Sequence, residues 1–186
     1  MSEAIEKKPL NPVRDVIRPV LTLVIILAVS AAAVAGVYKL TYSDELMTSD
    51  LKKACETLFP KGYEMLLTDS GEALTFDGIN DVIADKDSGL LAFDITETGY
   101  TKDGVRALVA VDGDGKIAGI AIVTLAETPG IGDRIKESAF LEKYVGLDAS
   151  TVGDADTVTG ATYSSKGLRK AAAQALETYN AHKEEI

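Results

Sequence analysis

A chain of 186 residues has room for one domain of about 100–150 residues plus an appendage, and 46% hydrophobic residues mark it as a folding chain. A net charge of −10 argues against nucleic acid, because a phosphate-binding face needs a basic patch that the chain lacks. One Cys and one His exclude a disulfide framework, a Cys/His zinc site and a Cys–His pair, so any chemistry proceeds without the usual histidine base.

Pro19 to Tyr38 is a run of 20 uncharged, mostly apolar residues bracketed by Arg18 and Lys39. As a helix it covers about 30 Å, the hydrocarbon thickness of a bilayer. Lys7, Lys8, Arg14 and Arg18 precede it, and Asp44 and Glu45 follow soon after Lys39. The positive-inside rule puts the N-terminus in the cytoplasm and the larger part outside. Ala31, Ala33 and Ala35 offer a signal-peptidase pattern. The run is long for the apolar core of a signal peptide, however, so it reads as an uncleaved anchor. The Ala/Gly-rich half from Ser30 to Gly36 would allow close packing against other membrane helices. The expected organisation is 1–18 cytoplasmic, 19–39 membrane helix, 40–62 connecting helix and 63–186 folded domain.

Ser43 to Phe59 reads as a helix with Ser43 as N-cap and Asp44 and Glu45 in the first turn. Leu51, Ala54, Cys55 and Leu58 form its apolar face, and Pro60 and Gly62 end it. Cys55 on that face reads as a small core residue. From Tyr63 to Ala126 the pattern is strand, punctuated by turns at Asp69-Ser70-Gly71, Asp77-Gly78, Asp87-Ser88-Gly89 and Asp103-Gly104. The clearest hairpin pairs Val105–Val111 with Lys116–Val123 across Asp112-Gly113-Asp114-Gly115. That turn lacks the third spaced acid and later Glu of an EF-hand, so no metal is assigned to it.

Glu127-Thr128-Pro129-Gly130-Ile131-Gly132 places two glycines close together after a proline. Its backbone can approach a flat object closely, although an ordinary strand-to-helix loop explains it too. A helix is expected from Asp133 to Tyr144, with Ile135, Ala139, Leu141 and Tyr144 to one side. A second runs from a Ser164 or Ser165 cap to about Lys183, with Leu168, Ala172, Ala175, Leu176 and Tyr179 inward and His182 solvated at its end.

Ahead of that last helix stands Asp156-Thr157-Val158-Thr159-Gly160-Ala161-Thr162-Tyr163-Ser164-Ser165-Lys166. A helix start offers unpaired N–H groups and partial positive charge, and Thr159, Thr162, Ser164, Ser165 and Lys166 add hydroxyls and a cation. This reads as a phosphate seat or as a plain capped helix. A P-loop aligned on Gly160 would need Gly at 165 and Ser or Thr at 167, where the chain has Ser165 and Gly167.

Asp156-x-x-Thr159-Gly160-Ala161-Thr162 resembles the D-x-x-[S/T]-G-A-T flavinylation motif of bacterial FMN-binding domains. Glu127–Gly132 resembles the E-T-P-G-[L/I]-G loop that lies against the isoalloxazine in the same family, and Phe140–Gly146 its F-L-x-x-[F/Y]-x-G continuation. With the anchor and the length, the chain resembles the family of G subunits of Rnf-type ion-translocating ferredoxin:NAD oxidoreductase complexes. The C subunits of sodium-pumping NADH:quinone reductases are second, usually longer relatives. The resemblance implies an α+β fold with a small antiparallel sheet and flanking helices. It implies FMN joined through its phosphate to the Thr162 hydroxyl by a separate flavin transferase. Asp156 would mark the site for that transferase or its metal. Thr159, Gly160 and Ala161 would flank an unobstructed approach. Glu127, Thr128, Gly130 and Gly132 would cover and tune the ring. No residue of the chain would be catalytic by itself. The protein would pass electrons on the outer face of the inner membrane, with other membrane and redox subunits as partners. A stand-alone membrane-anchored FMN protein in extracellular electron transfer or redox sensing is the alternative.

Overall fold

The computed structural model describes residues 17–42, with side chains to residue 34, then residues 47–184 and residue 186. The chain divides into two units, residues 1–46 and 47–186.

The first unit contains α1 (Arg18–Tyr42), a helix of 25 residues. From Val20 to Val34 every large apolar side chain of the helix is more than half exposed. Among the described residues no helix is long and apolar enough to cross a membrane. The apolar run itself extends to Tyr38, past the last described side chain.

The second unit begins with α2 (Ser49–Leu58), shorter than the helix expected from Ser43. Ser43 lies outside the described residues, and the cap is Thr48, whose side chain accepts from Leu51 N–H, with Asp50 in the first turn. The strands β1 (Tyr63–Met65), β2 (Asp81–Asp85), β3 (Leu91–Glu97), β4 (Val105–Val111) and β5 (Ile117–Leu125) form one sheet in the order β1-β2-β3-β4-β5. All neighbours are antiparallel. The expected hairpin is present as β4–β5, with β5 running two residues further than the pattern suggested. Its turn is closed by Asp112 Oδ1, which accepts from Asp114 N–H (3.0 Å) and Lys116 N–H (2.9 Å).

The sheet is buried on both faces. Alternation on β4 sends Val105, Ala107, Val109 and Val111 to one core and Leu108 and Ala110 to the other. The second core holds Leu51, Ala54, Cys55 and Phe59 of α2 and its C-terminal end. Cys55 is fully buried, and burial, with Asp94 and Asp81 nearby, pushes its thiol up to about 12. The first core is covered by α4 (Thr162–His182), which buries Leu168, Ala172, Ala175, Leu176 and Tyr179 as its periodicity predicts. Its His182 is half-buried and stacks on Phe76, ring centroids 4.3 Å apart.

The helix expected over 133–144 is instead three short pieces. A 3-10 turn spans Gly132–Lys136, α3 spans Ser138–Leu141 and a second 3-10 turn spans Glu142–Tyr144. Glu137 between the first two is extended (ψ 129°), which resets the helical phase. Ile135, Phe140 and Tyr144 therefore face inward, while Ala139 is exposed.

Candidate functional site

The β3–β4 connection, the segment after β5 and the start of α4 converge on one cleft of about 370 Å³. Glu127, Thr128, Ile131 and Gly132 line one side. Gly160, Ala161, Tyr163 and Ser164 line another, and Tyr100 closes it. The structure thus brings together the two segments singled out in the sequence. A wider groove of about 460 Å³ between α2, β5 and α3 contains no candidate site residue.

Both segments turn in the same way. In Thr128-Pro129-Gly130-Ile131, Ile131 N–H donates to Thr128 O (3.1 Å) with Gly130 at φ 77°. In Val158-Thr159-Gly160-Ala161, Ala161 N–H donates to Val158 O (2.9 Å) with Gly160 at φ 84°. Positive φ at the third position is what a type II turn requires, and glycine adopts it without steric cost. A Cβ at Gly160 would meet nothing within 4 Å. The need for glycine there is conformational, not one of clearance.

Glu127 ties the site together. It is 9% exposed, and its carboxylate accepts from Tyr100 N–H (3.0 Å), Thr101 N–H (3.3 Å) and Ser164 Oγ–H (2.6 Å). One side chain so joins the β3–β4 connection, its own loop and the first turn of α4. Three glycines make room for it. A Cβ on Gly99 or Gly104 would collide with its Oε1, and one on Gly132 would come within 2.8 Å of its Cβ and of Ser164 Oγ. Gly167 allows α4 to pass close to the Thr98 carbonyl, 2.9 Å from where its Cβ would lie. Gly99 and Tyr100 escaped sequence reasoning, and Gly104 was read only as part of a turn. Their only signal was a Gly-Tyr-Thr segment beside a turn, with nothing to link it to Glu127.

The hydroxyl stretch is sorted by burial. Ser164 and Ser165 are turned inward and do not cap the helix: Ser164 donates to Glu127, and Ser165 Oγ accepts from Val158 N–H (3.0 Å). α4 begins at Thr162, and its cap residue Ala161 is buried and offers no side-chain bond. Thr162 and Lys166 are exposed, and so is Thr159. Thr162 does not line the cleft, but the residues on both sides of it do.

Asp156 stands away from the cleft. It is exposed and ion-paired with Lys143 (2.9 Å), and that hydrogen bond holds its carboxyl below the usual range. Arg134 donates to Thr159 O (3.3 Å), so the short helical pieces brace the segment from outside.

Residues 99–177 match the model of the FMN-binding domain. The chain is 28% identical over 114 residues to the G subunit of an ion-translocating oxidoreductase complex of Aliivibrio fischeri, covering 54% of each chain. It is 25% identical over 179 residues to the protein of that name in Cereibacter sphaeroides, covering 87% of this chain and 80% of the relative. It is 33% identical over 82 residues to the G subunit of a proton-translocating ferredoxin:NAD(+) oxidoreductase complex of Clostridium ljungdahlii, covering 39% and 44%. In the first of these matches the chain spans about half the length of its relative. The match covers Glu127–Gly132, Asp156 and Thr162, so the part of the chain that builds the cleft, residues 99–177, is similar to the FMN-binding domain.

Proposed function

We propose that the protein is an electron-transfer subunit of a membrane-bound ion-translocating oxidoreductase complex and carries FMN esterified through its phosphate to Thr162. The observation that carries this is the placement of Thr162. It is exposed, begins α4, and lies beside a cleft walled by Glu127–Gly132.

The residues fit the group. A cleft of about 370 Å³ lies within the range of small-molecule sites, roughly 300–1,000 Å³. It suits the ring better than the whole nucleotide, with the phosphate at the rim. There the first N–H groups of α4 lack side-chain partners and favour an anion. Bound FMN would supply the redox chemistry, and the protein would supply position and electrostatics. Glu127 fixes the cleft walls and leaves a negative charge beside them. The Thr128–Gly132 turn bounds the cleft opposite α4. Thr162 serves as tether and not as a turnover nucleophile.

The exposed apolar side chains of α1 from Val20 to Val34 support a membrane environment for that helix, since a continuous apolar surface favours burial. With the basic residues before it, this supports a single-pass anchor in the inner membrane and an extracytoplasmic FMN domain. The proposed partners are the other membrane and redox subunits, and a flavin transferase during maturation.

In-gel fluorescence after denaturing electrophoresis tests the attachment. Protein from cells that also make the transferase should show flavin emission comigrating with the chain, and Thr162→Ala should be dark. A dark wild-type band sinks the reading. Co-purification tests the assembly: solubilised protein that runs without membrane partners would point to a stand-alone carrier.

A further inference from the structure

We propose that Tyr100 and Tyr163 form an aromatic wall that holds the isoalloxazine ring of the FMN carried on Thr162; the inference rests on the attachment reading above. Among the described residues of the second unit, five large hydrophobic side chains stand exposed: Leu67, Tyr100, Ile131, Val145 and Tyr163. Three of the five line the one cleft. Tyr100 is 73% exposed, Tyr163 64% and Ile131 52%. A cluster of exposed apolar groups at a single concave place marks a binding surface more often than scattered ones do.

The geometry is that of a wall and not of loose side chains. The two tyrosine rings pack edge to face, centroids 6.1 Å apart at 70°. Tyr163 directly follows the tether residue and sits in the first turn of α4. Tyr100 has its backbone fixed by its own N–H bond to the buried Glu127 carboxylate, while its ring remains exposed. Ile131, at the end of the Pro-Gly turn, adds an aliphatic surface to the same cleft. A large flat conjugated ring with polar edges matches such walls, since tyrosine offers an apolar face and keeps its hydroxyl wet.

The test uses the full chain made with the transferase, as wild type, Tyr100→Leu, Tyr163→Leu, the double Leu variant and the two Phe variants. Covalent flavin is measured on denaturing gels. Flavin emission of the native protein is compared with the same sample unfolded in guanidinium, together with visible circular dichroism. A phenol in contact quenches excited flavin by giving it an electron and taking it back, with no net oxidation. The wild type should therefore be strongly quenched. Each Leu variant should keep its covalent flavin and emit several-fold more, with the double variant nearest the unfolded value and its visible dichroism lost. The Phe variants should keep the dichroism, because the ring remains, yet lose part of the quenching. A double Leu variant with normal covalent flavin, wild-type quenching and wild-type dichroism would overturn the proposal while leaving attachment intact. A wild type without covalent flavin would overturn the attachment reading and this one with it.

Discussion

Two buried carboxylates sit on the same sheet scaffold and are stabilised in opposite ways. Asp94, in β3, is fully buried within the sheet; Glu127, just after β5, is 9% exposed and faces the cleft. Asp94 is neutralised by Arg106, whose Nε lies 3.0 Å from both of its oxygens. Glu127 is held by two backbone N–H groups and a hydroxyl, all neutral. The Asp94 arrangement also answers a local problem: Asp81 is its direct cross-strand partner. Like charges placed opposite each other destabilise a sheet. Burial, then Asp94, raises the Asp81 carboxyl, and Arg106 counters both acids. Charge is cancelled where it serves only the fold. It is kept, with its hydrogen bonds satisfied, where a ligand would feel it.

Removing the cancelling cation should have the largest effect. Arg106→Ala leaves Asp94 buried without a counter-charge and opposite Asp81, and breaking such a pair from one side costs about 3–5 kcal/mol. Urea unfolding would read this as a lower midpoint at neutral pH. The sign of the pH dependence follows. The Asp81 carboxyl, raised in the folded state by burial and then by Asp94, favours the protonated native form, so the part of the deficit it carries should shrink as pH falls into the carboxylate range. A deficit that grows with acid would contradict the assignment of that part of the damage to Asp81.

Glu127 should respond less and in two parts. Glu127→Ala strips the partner from two N–H groups and a hydroxyl, at about 1–3 kcal/mol for buried groups left unsatisfied. Glu127→Gln keeps an acceptor for the N–H groups and can receive or offer a bond at Ser164, so stability should nearly recover. What Gln does not restore is the charge. A negative charge beside the ring opposes added electrons, so Glu127→Gln should raise the midpoint potential of the bound flavin. An interaction change of about 1 kcal/mol would appear as about 20 mV in a two-electron couple. Redox titration of the Gln variant separates the two roles: an unchanged potential would reduce Glu127 to a structural tie.

The contrast between these sites also separates what the sequence could tell from what it could not. The β4–β5 hairpin, the inward face of α4 and the Pro-Gly turn were legible because each is set by neighbours within a few residues. Cys55 was legible as core because its helical spacing matched Leu51 and Ala54. The break at Glu137 was not, because Ile135, Ala139 and Tyr144 fit one continuous helix face, and only the fold shows Ala139 turned outward. Ser164 and Ser165 were misread as caps because their partners, Glu127 and Val158, come from outside the helix. Tyr100 was missed for the same reason, lying 27 residues from the carboxylate that fixes it. Contacts from outside the local element, not composition, decide the serines and Tyr100.

A third carboxylate, Asp156, provides the finest test because it belongs to neither class. It is exposed, and its partner Lys143 lies in solvent on the outer side of the segment. Exposed pairs contribute little to stability. Asp156→Asn should therefore leave the thermal midpoint unchanged within error, in contrast to the losses at Arg106 and Glu127. The pair with Lys143 holds the Asp156 carboxyl below its ordinary value of 3.8, so whatever it adds is present above that pH and fades only as pH falls further. Above the ordinary carboxylate range its charge is constant, and any effect of the substitution there is not one of titration. If Asp156 serves recognition by the transferase, covalent flavin should drop sharply in Asp156→Asn, while Lys143→Gln, which removes the pair but keeps the carboxylate, should still be flavinylated. Equal loss in both variants would instead assign the role to the ion pair as a brace for Thr157–Thr162.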